Sequence, residues 1–392
     1  MERSTSGTTL GTALPRYLAA AVLVRLADEG ARVALVLLAL EKVSSPALGG
    51  QLVAALMVPH VVAAPLVGAL ADRVRRRRLF HAIALVLYGV ALAGCALLVG
   101  RTPAAVPLLV AVLGGCVAPL VTGGLTSLLG DLVDARRLQR AFALDSTSYN
   151  LAGICGPALV AALAVVSGAV IATLSLAVAA VAAGVLLAGL PLADRQDTPT
   201  GRPDLTGGVR VLWRSRPLRA VTLASSVGQI GIGALPLAAT ALAVHNQGDA
   251  AVGGVLVSAF AVGALAGSLS YAKKPLGASR PTLVILIGLF ATAVPFAVVS
   301  LVSNTMSAAV LFAAAGFFTG PTFSALLAIR DREAPAEVRV QVFTLGAGLK
   351  SAAAAVGAVV AGALSNSAPL VLGVAICHAL AALCGAVVLR RR

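Results

Sequence analysis

Long apolar stretches and short polar turns alternate along the whole chain. An apolar stretch of about 20 residues can cross the hydrocarbon core of a membrane as an α-helix. No stretch shows the short alternating pattern of a transmembrane β-strand. The pattern therefore predicts an all-α integral membrane protein with twelve transmembrane helices. We place these helices near 17–41, 48–71, 79–100, 104–129, 140–166, 169–192, 219–245, 250–271, 282–301, 305–328, 339–364 and 368–389.

The composition supports this class and excludes others. Of the 392 residues, 59% are hydrophobic and 11% are charged, against about 25% charged in an ordinary soluble domain. Such a chain is too apolar for a soluble fold or for intrinsic disorder. The five Cys residues show no framework spacing, so we do not expect disulfides to organise the fold. The polar N-terminus lacks the features of a signal peptide, and we expect the first helix to be retained.

The net charge of +15 would fit binding to nucleic acid, but the positions of the basic residues give another explanation. With the N-terminus inside the cell, 25 of the 30 Lys and Arg residues fall in cytoplasmic segments, and only Lys42 and Arg101 fall in the opposite loops. Cytoplasmic loops of membrane proteins carry such an excess. The distribution predicts that both termini are cytoplasmic, and we expect no nucleic acid as a partner.

The longest polar stretch lies in the middle of the chain and divides it into two sets of six helices. Its Pro and Gly residues and mixed charges are typical of a linker. The segment that leads to Phe142 resembles the segment that leads to Phe343, which indicates an internal duplication. We therefore predict two pseudo-symmetric six-helix bundles at 1–192 and 219–392, joined by a cytoplasmic linker at 193–218.

The turn after the second predicted helix combines a glycine, an acid and several arginines at a specific spacing. These residues are Gly68, Asp72, Arg73, Arg76 and Arg77. An acidic residue at a helix end can pair with Arg or with the N-terminus of a neighbouring helix, and such a contact can form in one conformation and break in another. The pattern resembles the signature loop of the major facilitator superfamily, which helps to hold two bundles closed on the cytoplasmic side. Arg75 replaces the second glycine of that signature, and the basic residues alone would also fit a positive-inside anchor. The five residues named first match the signature.

Small residues and a proline in the fifth predicted helix form a second motif. Asn150, Gly153, Gly156 and Pro157 resemble the antiporter motif of drug:proton exporters in the same superfamily, with Ala152 at the first glycine position. The alternative is a close-packed helix that bends at the proline. The turns before the fifth and eleventh helices are similar to segments of twelve-helix efflux proteins of that superfamily, such as macrolide and siderophore exporters.

Ionisable residues at membrane depth are costly and are therefore functional candidates. The first predicted helix carries four of them on one face, at i, i+3, i+4 and i+7. They are Arg25, Asp28, Glu29 and Arg32. They form either a neutral ladder that aids insertion and packing, or a polar stripe on a central cavity where Asp28 or Glu29 exchanges a proton. Asp145 is either an acid of the first helical turn or a further coupling residue. Lys350 either reaches back to the cytoplasm or offers a cavity cation to an acid or an anionic substrate.

Together these features predict a secondary transporter that works by alternating access. We expect proton-coupled export of a small amphiphilic compound, a drug or a secondary metabolite, by a monomer in the inner (plasma) membrane of a bacterium. Two alternatives stay open: an uptake carrier or facilitator for a small anionic metabolite, and a membrane receptor of this fold that transports nothing. The sequence contains no Walker loop, metal-ligand spacing or catalytic motif, so we expect no cofactor, no metal and no enzymatic activity.

Overall fold

The computed structural model describes residues 6–194, 204–246, 252–275, 277, 280–364 and 370–390. Every regular element within these ranges is a helix and none is a β-strand, so the predicted all-α class is confirmed. A π-helical segment (Leu120–Gly124) continues the fourth helix, and a 3-10 turn (Ala336–Val338) precedes the twelfth. The α-helices are α1 (Ser6–Val43), α2 (Pro46–Arg73), α3 (Arg77–Leu98), α4 (Ala105–Pro119), α5 (Leu129–Leu132), α6 (Ala135–Ala188), α7 (Gly207–Arg214), α8 (Arg216–His245), α9 (Val252–Lys273), α10 (Pro281–Val299), α11 (Thr305–Glu333), α12 (Arg339–Ala363) and α13 (Leu370–Arg390).

Ten helices in the described ranges are long and apolar enough to cross a membrane. One of the ten is α6, whose 54 residues cover both the fifth and the sixth predicted helices. The chain turns inside α6 at Gly168, where a φ of 85° favours glycine. The ten do not include α1, which has the necessary length and carries four charges near its middle. With α1 and both legs of α6, the described chain has the predicted twelve membrane helices.

Contacts between Cα atoms divide the chain into two compact units. Unit 1 consists of Met1–Ala135, Leu151–Gly208 and Pro335–Gly348. Inside it, α4 packs against both α2 and α3. At Gly115 of α4, a methyl group would collide with the backbone of Leu56 in α2. Gly89 of α3 and Gly184 in the second leg of α6 bring these two helices together in the same way, because small residues let membrane helices approach closely.

Unit 2 consists of Arg136–Asn150, Val209–Ala334 and Leu349–Arg392. Its most extensive contact joins α9 to α11, and further contacts join α8 to α13 and α10 to both α11 and α13. The helices α9 and α11 meet through glycines spaced four residues apart, where a methyl group would collide with the opposing backbone. These glycines are Gly263 and Gly267 of α9 and Gly316 and Gly320 of α11. Phe296 and Phe312 pack edge to face in the core of this unit.

The boundaries of the units fall inside α6 and α12. The first turns of α6 belong to unit 2, where Asn150 donates a hydrogen bond to Ser268 of α9. The first turns of α12 belong to unit 1, where Thr344 donates a hydrogen bond to the carbonyl oxygen of Ala64 in α2. The division into two six-helix bundles at the central linker stays a prediction.

The central linker is described in part. Residues 195–203, which include the predicted linker positions Arg195 and Arg202, lie outside the described residues. The described part contains α7, whose Trp213 side chain is 56% exposed. The backbone amide of Gly208 in α7 donates a hydrogen bond to the side-chain oxygen of Gln341, so the start of α7 is anchored to unit 1.

Two arginines that the sequence places in cytoplasmic segments are buried. Arg77 is 8% exposed and Arg330 is 2% exposed. Arg77 lies in the first turn of α3 and Arg330 in the last turn of α11, because both helices extend beyond their apolar stretches. Hydropathy marks the part of a helix at membrane depth, and it does not report the helical turns that continue past it.

Candidate functional site

The four charged residues of α1 form a cluster in unit 1. We call Arg25, Asp28, Glu29 and Arg32 the α1 charge cluster. The Arg32 guanidinium lies 2.8 Å from Glu29 Oε2 and 3.5 Å from Asp28 Oδ2. These contacts place the three side chains on one helical face, as the spacing predicts. The side chain of Asp28 is 9% exposed, that of Glu29 31% and that of Arg32 40%, so the two adjacent acids differ in accessibility.

Two residues without a sequence signal complete the cluster. Tyr88 of α3 donates a hydrogen bond from its phenol to Asp28 Oδ1 over 2.8 Å. Arg25 donates a hydrogen bond to Thr126 Oγ1 over 2.9 Å, and Arg25, Tyr88 and Thr126 are all almost fully buried. A Tyr and a Thr in separate apolar helices share no spacing with α1, and only the scarcity of Tyr, four in the chain, could have drawn attention to Tyr88. Asp28 is therefore held in place, whereas Glu29 is the more accessible acid.

The antiporter-like motif of α6 packs directly on this cluster. A methyl group on Gly156 would lie 3.0 Å from the backbone nitrogen of Gly30 and 3.2 Å from Glu29 Cβ. A methyl group on Gly153, one turn earlier, would have nothing within 4 Å among the described residues. Pro157 lies within α6, directly after this helix crossing. Gly156 is thus both a close-packing residue and a neighbour of the accessible acid, so the two interpretations of the motif are compatible.

The π-helical segment after α4 places a further polar pair near the cluster. Thr122 Oγ1 lies 3.5 Å from His60 Nε2 of α2, a long contact. The Thr126 hydroxyl, which accepts the hydrogen bond of Arg25, donates to the carbonyl oxygen of Thr122 over 3.3 Å. Short π-helical segments occur often at functional sites, and this one contacts the imidazole of His60 in α2.

The signature-like loop after α2 contacts the start of α12 within unit 1. Asp72 is 1% exposed and accepts hydrogen bonds from the backbone amides of Val340 and Gln341, each over 2.9 Å. A carboxylate in this position satisfies amides that the helix leaves without partners, and it interacts favourably with the helix dipole. At Gly68, one turn earlier, a methyl group would lie 2.7 Å from Gln341 Cα. The loop residues Gly68 and Asp72 therefore act on the same helix end.

The arginines of the loop have different environments. Arg77 pairs with Asp131, which follows α4, over 2.8 Å. Arg76 is exposed and lies 3.9 Å from Asp194. Arg73 is partly buried. The sequence did not indicate Asp131 as a partner of Arg77, because the two residues come close together only when α3 and α4 pack against each other.

The first leg of α6 carries polar residues that face α9 in unit 2. Ser146 Oγ lies 3.3 Å from Ser268 Oγ, and Asn150 donates to the same hydroxyl over 2.8 Å. Asp145 is fully buried, about three turns after α6 begins at Ala135. The interpretation of Asp145 as an acid of the first helical turn is therefore wrong, because α6 begins earlier than its apolar stretch.

Lys350 of α12 lies among aromatic side chains of unit 2. Its ammonium group is 4.0 Å from the centroid of the Phe323 ring, which is a cation–π contact. The Phe323 ring packs edge to face with Tyr149, with 5.2 Å between the centroids. Arg330 follows Phe323 by seven residues, about two turns, on the same face of α11, and its charge acts on Lys350. The sequence indicates Lys350 as a candidate, but it gives no sign of Phe323 or Arg330.

The side chains that commonly bind metals are scattered through the part of the chain that the structure describes. Across the described ranges, no three His, Cys, Asp or Glu side chains come together in a way that could hold an ion. The five cysteines are free.

Comparison with known sequences gives one family and one curated relative. The sequence model described as the Major Facilitator Superfamily matches residues 17–358. The uncharacterized MFS-type transporter y4rN of Sinorhizobium fredii is 29% identical over 354 residues, which cover 88% of this chain and 86% of that protein. The match extends across nearly the whole length of both chains.

Solved structures with the same fold include transporters of different kinds. A bacterial homologue of the iron transporter ferroportin, in an outward-facing state, has a TM-score of 0.76 at 16% identity, with 96% of this chain and 98% of that chain covered. The human organic anion transporter MFSD10 has a TM-score of 0.67 at 14% identity, with 97% and 98% covered. The proton:xylose symporter XylE has a TM-score of 0.67 at 13% identity, with 97% and 95% covered. At these identities the similarity shows a shared fold alone.

Proposed function

The chain belongs to the major facilitator superfamily of transporters, and we propose that it exports small amphiphilic compounds, such as a drug or a secondary metabolite, in exchange for protons. A central site is exposed in turn to each side of the membrane as one six-helix bundle, 1–192, rocks against the other, 219–392. The transporter works as a monomer in the inner membrane of a bacterium, with both termini in the cytoplasm.

The observation that carries this proposal is the accessible ion pair of Glu29 and Arg32 beside the fixed Asp28. A neighbouring Arg favours the charged form of a carboxylate, and burial favours the neutral form. A movement that separates Glu29 from Arg32 therefore loads a proton on Glu29, and the return of Arg32 releases it. Asp28, which Tyr88 holds in place, keeps its contact with Arg32 while Glu29 is neutral.

The antiporter-like motif supports exchange. Gly156 brings α6 into contact with α1 next to Glu29, so a shift of either helix changes the surroundings of the acid. The loop after α2 supports alternating access, because the two hydrogen bonds of Asp72 to α12 can be made in one conformation and broken in another. Export by exchange requires both a proton site and such a reversible contact.

A second candidate function is uptake of a small anionic metabolite. The observation in its favour is the pair of cations in unit 2, Lys350 and Arg330, which lies among aromatic rings. Intramembrane cations mark the paths of ions and substrates in transporters. The positive charges of this pair would attract the carboxylate of an anionic substrate that is taken up into the cell.

Transport into inverted membrane vesicles tests the proposal. A panel of radiolabelled cationic, neutral and anionic amphiphiles is offered with and without an outward-directed proton gradient, in which the vesicle lumen is acidic. We expect accumulation of at least one compound that depends on outward proton movement, and no accumulation in vesicles without the protein. Accumulation only in right-side-out vesicles would favour uptake instead, and gradient-independent equilibration of every compound would contradict proton coupling.

A further inference from the structure

Arg330 is a fully enclosed cation near the end of α11. Its side chain is 2% exposed, although only three residues separate it from the end of the helix. Nε and Nη2 of Arg330 are buried, and neither has a hydrogen-bond partner among the described residues. A guanidinium group presents five N–H donors in a fixed planar fork. Two of the nitrogen atoms of this fork therefore face an environment in which no described protein group meets them.

Lys350 lies within electrostatic reach of this guanidinium. Arg330 follows Phe323 by seven residues in α11 and therefore shares its helical face, and its charge acts on the Lys350 ammonium. Lys350 rests on the face of the Phe323 ring, and Phe323 packs against Tyr149. Two like charges and two aromatic rings, from α6, α11 and α12, thus lie together in unit 2.

The cation pair lacks a negative partner in the described part of the chain. No salt bridge involves Arg330 or Lys350 there, and no carboxylate is among the groups whose charge acts on either of them. A buried charge without a partner is strongly unfavourable, and two neighbouring cations repel each other as well. Such an arrangement is stable when an anion from outside the chain binds between the two groups.

We propose that Arg330, Lys350, Phe323 and Tyr149 form a binding site for an aromatic carboxylate. The guanidinium group of Arg330 donates two parallel N–H hydrogen bonds to the carboxylate, which is the geometry that Arg favours. The ammonium of Lys350 shares the negative charge, and the rings of Phe323 and Tyr149 pack against the aromatic body of the ligand. The inference rests on the proposed function in one respect, namely that this ligand is the exported compound.

Binding to the purified full chain in detergent tests the site without any gradient. The probe is radiolabelled 2-naphthoate, with the isosteric neutral 2-naphthamide and the cationic 2-naphthylmethylammonium as competitors. We expect naphthoate to bind and neither competitor to displace it. Lys350→Gln and Arg330→Gln are each expected to weaken naphthoate binding about tenfold or more, which is the scale of one hydrogen bond between charged groups.

Matched variants separate the site from general effects on folding or charge. Arg332→Gln removes a positive charge two residues from Arg330, from an exposed side chain that pairs with Glu333, and it is expected to bind naphthoate as the parent does. Lys350→Arg keeps the charge and is expected to retain most of the affinity. Arg330→Lys replaces Arg330→Gln if the latter does not fold, and it is expected to weaken binding because it loses the planar fork.

The outcomes distinguish this site from the proposed function. Naphthoate that binds no tighter than 2-naphthamide, or that binds equally to the parent and to the Lys350→Gln variant, would overturn the site. Proton-coupled export of uncharged compounds would remain in that case. Conversely, naphthoate binding that needs both cations, in a protein whose transport ignores the proton gradient, would confirm the site and reject the coupling.

Discussion

The phenol of Tyr88 donates a 2.8 Å hydrogen bond to the carboxylate of Asp28, and both side chains are buried in unit 1. Hydrogen bonds to an ionised acceptor are stronger than bonds between neutral groups, so this bond ties α1 firmly to α3 at membrane depth. It also gives two adjacent acids different roles. Asp28 is fixed between Tyr88 and Arg32, whereas Glu29 has greater exposure and forms its ion pair with Arg32.

Removal of the Tyr88 hydroxyl is the first test of this bond. Tyr88→Phe leaves the Asp28 carboxylate with one partner fewer, and we expect the free energy of unfolding to fall by about 1.5–3 kcal/mol. Thermal unfolding of the detergent-solubilised protein measures the loss. The control is Tyr271→Phe, since the Tyr271 hydroxyl is buried without a hydrogen-bond partner in the described part of the chain. If both variants unfold at the same temperature, the Tyr88 bond contributes nothing.

Asp72 is expected to matter through its charge at the start of α12. Asp72→Asn keeps the size of the side chain but cannot accept both amide hydrogen bonds from Val340 and Gln341 as a carboxylate does. We expect a loss of about 1–3 kcal/mol in stability and slower export in vesicles. Asp194→Asn serves as the control. Asp194 is exposed and its contact with Arg76 is long, at 3.9 Å, and exposed ion pairs contribute about 0–1 kcal/mol to stability. Equal effects of the two variants would contradict the role of Asp72.

Two glycines of the antiporter-like motif give a matched pair. Gly156→Ala places a methyl group against the α1 backbone and Glu29, and overpacking of this kind costs about 1–3 kcal/mol. We expect reduced thermal stability and reduced transport. Gly153→Ala meets no described atom within 4 Å, so it should leave both quantities close to the parent values. A Gly153→Ala variant that loses transport while Gly156→Ala keeps it would show that the motif acts by another means.

The close contact between α9 and α11 makes a similar prediction for unit 2. A methyl group at Gly267 collides with the backbone of Phe317, and we expect Gly267→Ala to destabilise the protein by about 1–3 kcal/mol. Gly254→Ala on the same helix meets no described atom within 4 Å, and its greater helix propensity should leave stability unchanged or slightly raised. The melting temperatures of the two variants in detergent decide the point, and a Gly267→Ala variant as stable as Gly254→Ala would refute the contact.

The helices could be predicted from the sequence, because twelve apolar stretches each carry their own signal. Local spacing also predicted that Asp28, Glu29 and Arg32 share a face. For Asp72 the sequence left two pairings open, an Arg or the N-terminus of a neighbouring helix, and the structure shows the second. The sequence could not predict Tyr88, Thr126 or Phe323, since a partner on another helix stands at no fixed distance along the chain. The burial of Arg330 was missed for a related reason, because a basic residue beside a loop has the same pattern whether it faces water or the protein interior.

The most direct test of the central claim compares two transport modes of the Glu29→Gln variant. Glutamine cannot exchange a proton, so we expect the variant to lose substrate accumulation driven by a proton gradient in inverted vesicles. Exchange of labelled for unlabelled substrate at equilibrium needs no net proton movement, and we expect it to remain. Glu337→Gln, at an exposed acid, should preserve both modes. Gradient-driven accumulation by Glu29→Gln at the level of the parent would contradict the assignment of Glu29 as the proton carrier.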